Sequence, residues 1–456
     1  MGVSATAERS ASAGDEGGGV SRVSELAGDG SGGVGPGGGG RAWSDSRLDA
    51  LRAHGDDELD GLVAELVDHD AGSVLDLYER TIRQQMAVEP EAWPAPLLAW
   101  WESDGLPHWV DWKLVARGVE VSEDWLPELL TSYLVGSLPQ SYAGARGAKV
   151  LTRISLLGDD DSLVRRVLET LLFVLRVVEP DALRVGGTGY ELARKTRVFH
   201  SLVRAMVATF GIDRREADGQ GEPWDAEADG VPVNQEDLLG TLWTFAVTPL
   251  QVIERANIPV PEGDKDAVIH LWCVVGHLLG VGVGEGVAAI EPGLLPMTYP
   301  EAAACWARIQ EHQFGPSDDG ATLTRVLIDR CHDLIPLRPL KNLPAASVYD
   351  TLGPRVAGYV GVAKPGPVRH LLVVNRLAIQ LANRLPGGDL VRGPMGHLAK
   401  RFAIDTIERN TRAVEIVGVT GRKGLQLGRR RWTLEGGADV RLPRALPAAP
   451  GRCHAP

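Results

Sequence analysis

The chain has 456 residues, a formal net charge of −13, and 44% apolar and 23% charged residues. That is enough apolar material for one large core, in the proportions of a water-soluble globular protein. The acidic balance argues against a general phosphate-binding surface and so against a nucleic-acid partner, with one local exception in the basic cluster Arg422, Lys423, Arg429, Arg430 and Arg431.

Residues 1–42 are Gly, Ser, Ala and Asp with few large apolar side chains and end in "SGGVGPGGGG". Such a segment buries too little surface to offset its ordering entropy, so it is expected to be disordered. No basic n-region followed by an apolar run, and no twin arginine, opens the chain, which makes the cytoplasm the expected compartment. Folding is expected to start at "WSDSRLDALRAHGDDELDGLVAEL", where Leu48, Leu51, Leu59, Leu62 and Leu66 recur at helical spacing. A helical domain then spans residues 43–420, followed by a basic, Pro-rich tail over residues 421–456.

Within that domain "SVLDLYERTIRQQ" is amphipathic, and "GDDDSLVRRVLETLLFVLRVV" opens on acids suited to the positive end of a helix dipole. "VPVNQEDLLGTLWTFAVTPLQVIERANI" starts a helix with Asn234 as N-cap and Gln235, Glu236 and Asp237 in the first turn. "DKDAVIHLWCVVGHLLGV" is apolar nearly all round, as a central helix should be. The run "LWCVVGHLLGVGVGEGVAAI" is too interrupted by His277, Glu285 and glycine to read as a membrane span. "PEAAACWARIQEHQF" and "PVRHLLVVNRLAIQLANRL" continue the helical pattern, and period-two alternation is confined to "RAVEIVGVTG" and "ADVRLP" near the end. The fold class expected is all-α.

Polar residues on apolar faces are the candidates for chemistry. In "ELARKTRVFHSLVRAMVATF", Leu192, Thr196, Phe199, His200, Val203, Val207 and Phe210 share a face, while Arg194, Lys195, Arg197 and Arg204 lie on its flanks or far side. Arg166 and Thr170 stand one turn apart on the inward face of the preceding helix. The plain alternatives stay open here. His200 is either a hydrogen-bonded core residue or a ligand. Arg166 either pairs with Asp159, Asp160, Asp161, Glu169 or Glu179 or serves a site. Thr170 either back-bonds to its own helix or faces a ligand. His270 and His277, two turns apart, read as core packing or caps.

Cys273, Cys305, Cys331 and Cys453 are scattered, with no CxxC or CxxCH, and HExxH, a P-loop and a strand-borne GxGxxG are all missing. The glycines of "GVGVGEG" follow a helix rather than a strand. A lone axial histidine suits haem better than zinc, which takes three or four protein ligands.

The ordered segments "VDWKLVARGVEV", "GSLPQSYAGARGAKVL", "RRVLET", "ARKTRVFHSLVRAMV" and "VPVNQEDLLGTLWTF" together resemble the latex clearing proteins, or rubber oxygenases, and the wider oxygenase family that includes the farnesyl-cleaving enzyme of mycophenolic acid biosynthesis. The resemblance covers residues 105–285, with "RVFH" and "PVNQEDLLGTL" its most specific parts. It implies a globin-like helical core around a haem pocket, haem b as the iron cofactor, and dioxygen chemistry on a hydrophobic, isoprenoid or terpenoid molecule. By resemblance His200 is the iron ligand, Arg197 belongs to the cofactor-binding motif, and Arg166 and Thr170 are the catalytic-side residues. Two departures stand out: Glu169 replaces a lysine before Thr170, and "KVLTRISLLG" holds no carboxylate where the family has its base.

Overall fold

The computed structural model describes residues 43–372 apart from 85–89, 104, 155–159, 214–221, 256–257, 296, 334, 336–337, 369 and 371. The Gly-rich N-terminus, the basic tail, the late alternating stretches and most of "PVRHLLVVNRLAIQLANRL" lie outside those residues. Among the described residues the chain is all-α, as expected, with no strand and an isolated bridge between Gly144 and Phe314.

The helices are α1 (Asp45–Arg52), α2 (Asp57–Gln84), α3 (Ala95–Glu102), α4 (Trp112–Asp124), α5 (Leu126–Ser132), α6 (Leu138–Ala143), α7 (Ala145–Ile154) and α8 (Asp160–Val177). They continue with α9 (Thr188–Ala208), α10 (Ala226–Asp229), α11 (Gln235–Arg255), α12 (Glu262–Leu278), α13 (Glu285–Ile290), α14 (Tyr299–Gln313), α15 (Asp318–Asp333) and α16 (Leu343–Tyr359). Side chains fix many of the starts. Asp111 accepts from the amides of Lys113 and Leu114 at 2.8 and 3.4 Å, and Asn234 from that of Asp237 at 2.9 Å, satisfying donors the first turn leaves open. Thr298 and Glu301 form a capping box at α14. Asp70 breaks α2 with φ −155° and ψ 80°, then re-caps it by accepting from the Ser73 amide at 3.1 Å.

α12 is the central helix its sequence predicts: from Ala267 to Gly276 every residue is buried. α4 lies against it closely enough that a Cβ on Gly118 would sit 2.5 Å from the Ala267 carbonyl oxygen, so only glycine permits this packing distance. One core gathers around α11 and α12, and a second forms where Leu59, Val63, Leu77 and Tyr78 of α2 meet Val198, Leu202 and Met206 of α9. No helix among the described residues is long and apolar enough to cross a membrane.

Candidate functional site

α9 carries the site on one face and its anchorage on the other. Arg194, Arg197 and Arg204 follow at helical spacing and are only 2%, 6% and 4% exposed, so the flank and far side of this helix are interior as well. The reason lies in the acidic start of α2. Arg197 donates to Asp56 at 2.5 and 2.9 Å and to Glu58 at 3.0 Å. Arg204 and Ser201 both donate to Asp60, at 2.7 and 2.6 Å. Arg194 donates instead to the carbonyls of Trp100, Trp101 and Ser103 at the end of α3 and stacks over the Trp100 ring at 4.4 Å, with the Glu58 charge nearby. Buried guanidinium groups keep their charge only with such partners.

The other face of α9 turns Lys195, Thr196, Phe199, His200 and Val203 toward a cavity of about 340 Å³. α8 supplies Arg166, Glu169, Thr170 and Phe173 to the same space. Arg166, Thr170 and His200 are therefore brought together. The lining is chiefly apolar, as a cofactor or lipid site requires, and the volume falls within the ~300–1,000 Å³ usual for such sites.

His200 is the most telling group. Its Nδ1 is buried and has no hydrogen-bond partner, and burial together with the nearby Arg204 charge pushes its pKa down to about 3. The imidazole is thus neutral at physiological pH, with a ring-nitrogen lone pair available to a ligand. Among the described residues no three His, Cys, Asp or Glu side chains converge on one point, so His200 is a single donor. Thr170 takes the plain alternative: its hydroxyl donates to the Arg166 carbonyl at 2.8 Å. That proton is spent within the helix, leaving oxygen lone pairs as what Thr170 offers the cavity. Arg166 lies near enough to the Tyr142 phenol to stabilise its anion, against the burial that raises the Tyr142 pKa. Arg197 is not among the lining residues; the ion pair to Asp56 holds its charged end.

The wall across from this helix pair comes from α6, α11 and α14, and it is where sequence reading fell short. Glu236 and Asp237 stand in the first turn of α11, as expected. What the spacing does not reveal is that Glu236 is 0% exposed, within 3.3 Å of Arg52 and 2.7 Å of His312 Nδ1, and accepts a bond from Gln313. Asp237 accepts from Arg52 at 2.9 Å and from the Asn234 amide group at 2.8 Å. Gln235 donates to the Gly55 and Gly280 carbonyls at 2.6 and 2.9 Å and accepts from the Gly282 amide at 2.9 Å. It thereby pins the glycine loop after α12, where Gly280 adopts φ +91° and a Cβ would meet Asp56 Oδ2 at 2.6 Å. The "NQED" run is a junction of α1, α11 and α14 on the cavity wall. Only the 3–4 spacing of Trp306, Ile309 and Gln313 hinted at the α14 contribution.

His270 and His277 lie outside the cavity lining. His270 Nε2 accepts from the Asp111 amide at 2.9 Å, and both rings meet Trp109 edge-on at 5.7 and 6.0 Å. They pin the segment before α4, in keeping with core packing.

Comparison with known proteins gives this geometry a context. Residues 130–383 match the family described as ER-bound oxygenase mpaB/B'/Rubber oxygenase, catalytic domain. That span starts later and runs further toward the C-terminus than the 105–285 expected from motifs alone, and so takes in the α14 wall. A rubber oxygenase of Streptomyces sp. (strain K30) is 25% identical over 376 residues, covering 80% of this chain and 86% of that protein. The fold is similar to that of latex clearing protein LCP in its closed state, with a TM-score of 0.60 and 22% identity over 80% of this chain and 95% of the other. The chain belongs to the mpaB/rubber oxygenase family, and it is an oxygenase.

Proposed function

We propose that the protein is a b-type haem-dependent oxygenase that uses dioxygen on a hydrophobic, isoprenoid- or terpenoid-like small molecule, with His200 as the residue that would hold the iron. The observation that carries this reading is the neutral, unpartnered imidazole of His200 on the wall of a largely apolar cavity, in a chain of an oxygenase family. A lone nitrogen donor fits a group that brings its own remaining ligands, as a porphyrin does. When bound, the haem would supply the redox chemistry of dioxygen.

The protein's own residues contribute the rest. His200 holds the group, and the clamp between Asp56 and Arg197 fixes the helix that carries it. Arg166 brings positive charge to the wall, suited to stabilising negative charge that develops on oxygen. Thr170 offers acceptor lone pairs, since its proton is engaged. Phe173, Phe199, Val203 and Leu242 exclude water and hold an apolar chain by burial rather than by polar contact. The rubber in the name of the Streptomyces relative makes an alkene the first substrate class to try. Cytoplasmic action is part of this reading.

Dioxygen uptake by the haem-loaded protein across a panel of terpenoid and polyisoprene alkenes tests it. Substrate-dependent uptake with a matching carbonyl or hydroxylated product is the expected outcome. Stoichiometric haem without uptake for any member would refute a terpenoid or polyisoprene alkene as the substrate.

A further inference from the structure

Four hydroxyl groups on the cavity wall spend their protons inside their own helices. Ser141 donates to the Leu138 carbonyl at 2.7 Å, Thr170 to that of Arg166 at 2.8 Å, Thr196 to that of Leu192 at 2.8 Å and Thr244 to that of Thr241 at 2.7 Å. Short side chains can fold back on the preceding turn in this way, and a phenol cannot. Tyr142 is the phenol on this wall. It follows Leu138 by one turn of α6, and both residues line the cavity. Tyr142 is only 4% exposed, and among the described residues its hydroxyl makes no hydrogen bond. It is also not one of the unpartnered polar atoms sealed within the protein, so the oxygen keeps surface that an occupant of the cavity can reach.

Its surroundings keep the proton in place. Burial raises the Tyr142 pKa above that of a free phenol, while the Arg166 charge pulls it the other way. The group is therefore a neutral donor at physiological pH, within electrostatic reach of a guanidinium that lines the same cavity. A donor beside a fixed positive charge, on a largely apolar wall, suits an acceptor that carries negative charge.

We propose that Tyr142 is a further catalytic residue: its Oη–H donates to the oxygen on which negative charge develops, and it shares the stabilisation of that charge with Arg166. The inference rests on the reading of this cavity as a haem-dependent oxygenase site, with His200 on α9 and Tyr142 on the wall across from it. It supplies the hydroxyl proton that Thr170 does not have to give. No bond within the protein must break before the phenol bonds its acceptor, so the donor acts without reorganisation.

Fluoride is the probe, a small anion that accepts hydrogen bonds, donates none, and changes the absorption spectrum of ferric haem when it binds. Haem-loaded wild type, Tyr142→Phe and Tyr133→Phe are titrated with sodium fluoride at one pH, with haem content measured for each. Tyr133 is buried but lies outside this lining, and so controls for loss of a phenol elsewhere. Tyr142→Phe should weaken fluoride binding by about ten- to a hundredfold, the worth of one hydrogen bond to a charged acceptor, and Tyr133→Phe by less than about twofold. Urea denaturation of the haem-free forms reads the structural alternative: Tyr142→Phe should unfold at the wild-type midpoint, because the hydroxyl holds no protein group. Equal fluoride affinity in wild type and Tyr142→Phe, or an equal loss in both variants, would overturn the inference while leaving the haem reading intact. So would a lowered urea midpoint or a failure to fold in Tyr142→Phe, which would mark the hydroxyl as bonded within the protein. A wild type that takes up no haem would instead remove the reading of the cavity, and the inference with it.

Discussion

Replacing Asp56 by alanine strikes the clamp that holds the site-bearing helix. Asp56 takes two bonds from Arg197, at 2.5 and 2.9 Å, and also caps α2 by accepting from the Leu59 amide at 3.3 Å. Removing one partner of a buried ion pair costs ~3–5 kcal/mol, because the other charge is left without compensation. Glu58 still reaches Arg197 at 3.0 Å from a half-exposed position, which argues for the low end, ~3 kcal/mol. Loss of the cap adds ~1 kcal/mol, so Asp56→Ala should lose about 4 kcal/mol in all. Urea denaturation of the wild type, the single variant and the double variant Asp56→Ala/Arg197→Met measures it. The double variant removes the stranded charge and should recover part of the loss. A single-variant loss under ~1 kcal/mol, or a double variant no more stable than the single, would refute the view that this pair fastens α9 to α2.

Other outcomes follow from the same geometry. Gly118→Ala pushes a Cβ against the Ala267 carbonyl at 2.5 Å and should cost ~1–3 kcal/mol by denaturant titration, with no change expected if α4 can slide off α12. His312 has its pKa raised, first by its hydrogen bond to Glu236, so it contributes stability below its unfolded value of 6.5 and loses that contribution as pH rises through the folded value. The melting-temperature advantage of the wild type over His312→Gln should therefore be larger at pH 6 than at pH 9, and a pH-independent difference would count against the Glu236 contact. His200 runs the other way: with its pKa pushed down to about 3, the unfolded chain binds the extra proton between about pH 6.5 and 3. Haem-free wild type should lose stability relative to His200→Phe as pH falls through that window, and parallel melting curves would contradict a buried neutral imidazole.

Helical periodicity made one half of the site legible. The spacing of Phe199, His200 and Val203, and of Arg166 and Thr170, put them on inward faces, and the structure gathers them around one cavity. Spacing says which face is buried but not what lies against it. Arg197 and Arg204 looked like an outer flank because their partners Asp56, Glu58 and Asp60 lie some 140 residues away along the chain. For Thr170 both alternatives stayed open because nothing local reveals whether a threonine returns its proton to the preceding turn. The far wall needed α11 and α14 brought together, and a first-turn position says nothing of Arg52, His312 and Gln313 closing around Glu236. The base missing from "KVLTRISLLG" is not replaced in that stretch: Val150, Leu151 and Ile154 line the cavity there, and the carboxylates on its walls are Glu169, Glu236 and Asp237.

The most direct measurement is the absorption spectrum and pyridine haemochrome of the purified protein beside His200→Ala, both supplied with haem. A Soret band at near-stoichiometric haem in the wild type, lost or shifted in a variant whose circular dichroism is unchanged, is the result expected if His200 holds the iron. A wild type that takes up no haem after reconstitution, or a variant with an identical spectrum, would contradict it and return His200 to the core as a histidine lacking a partner.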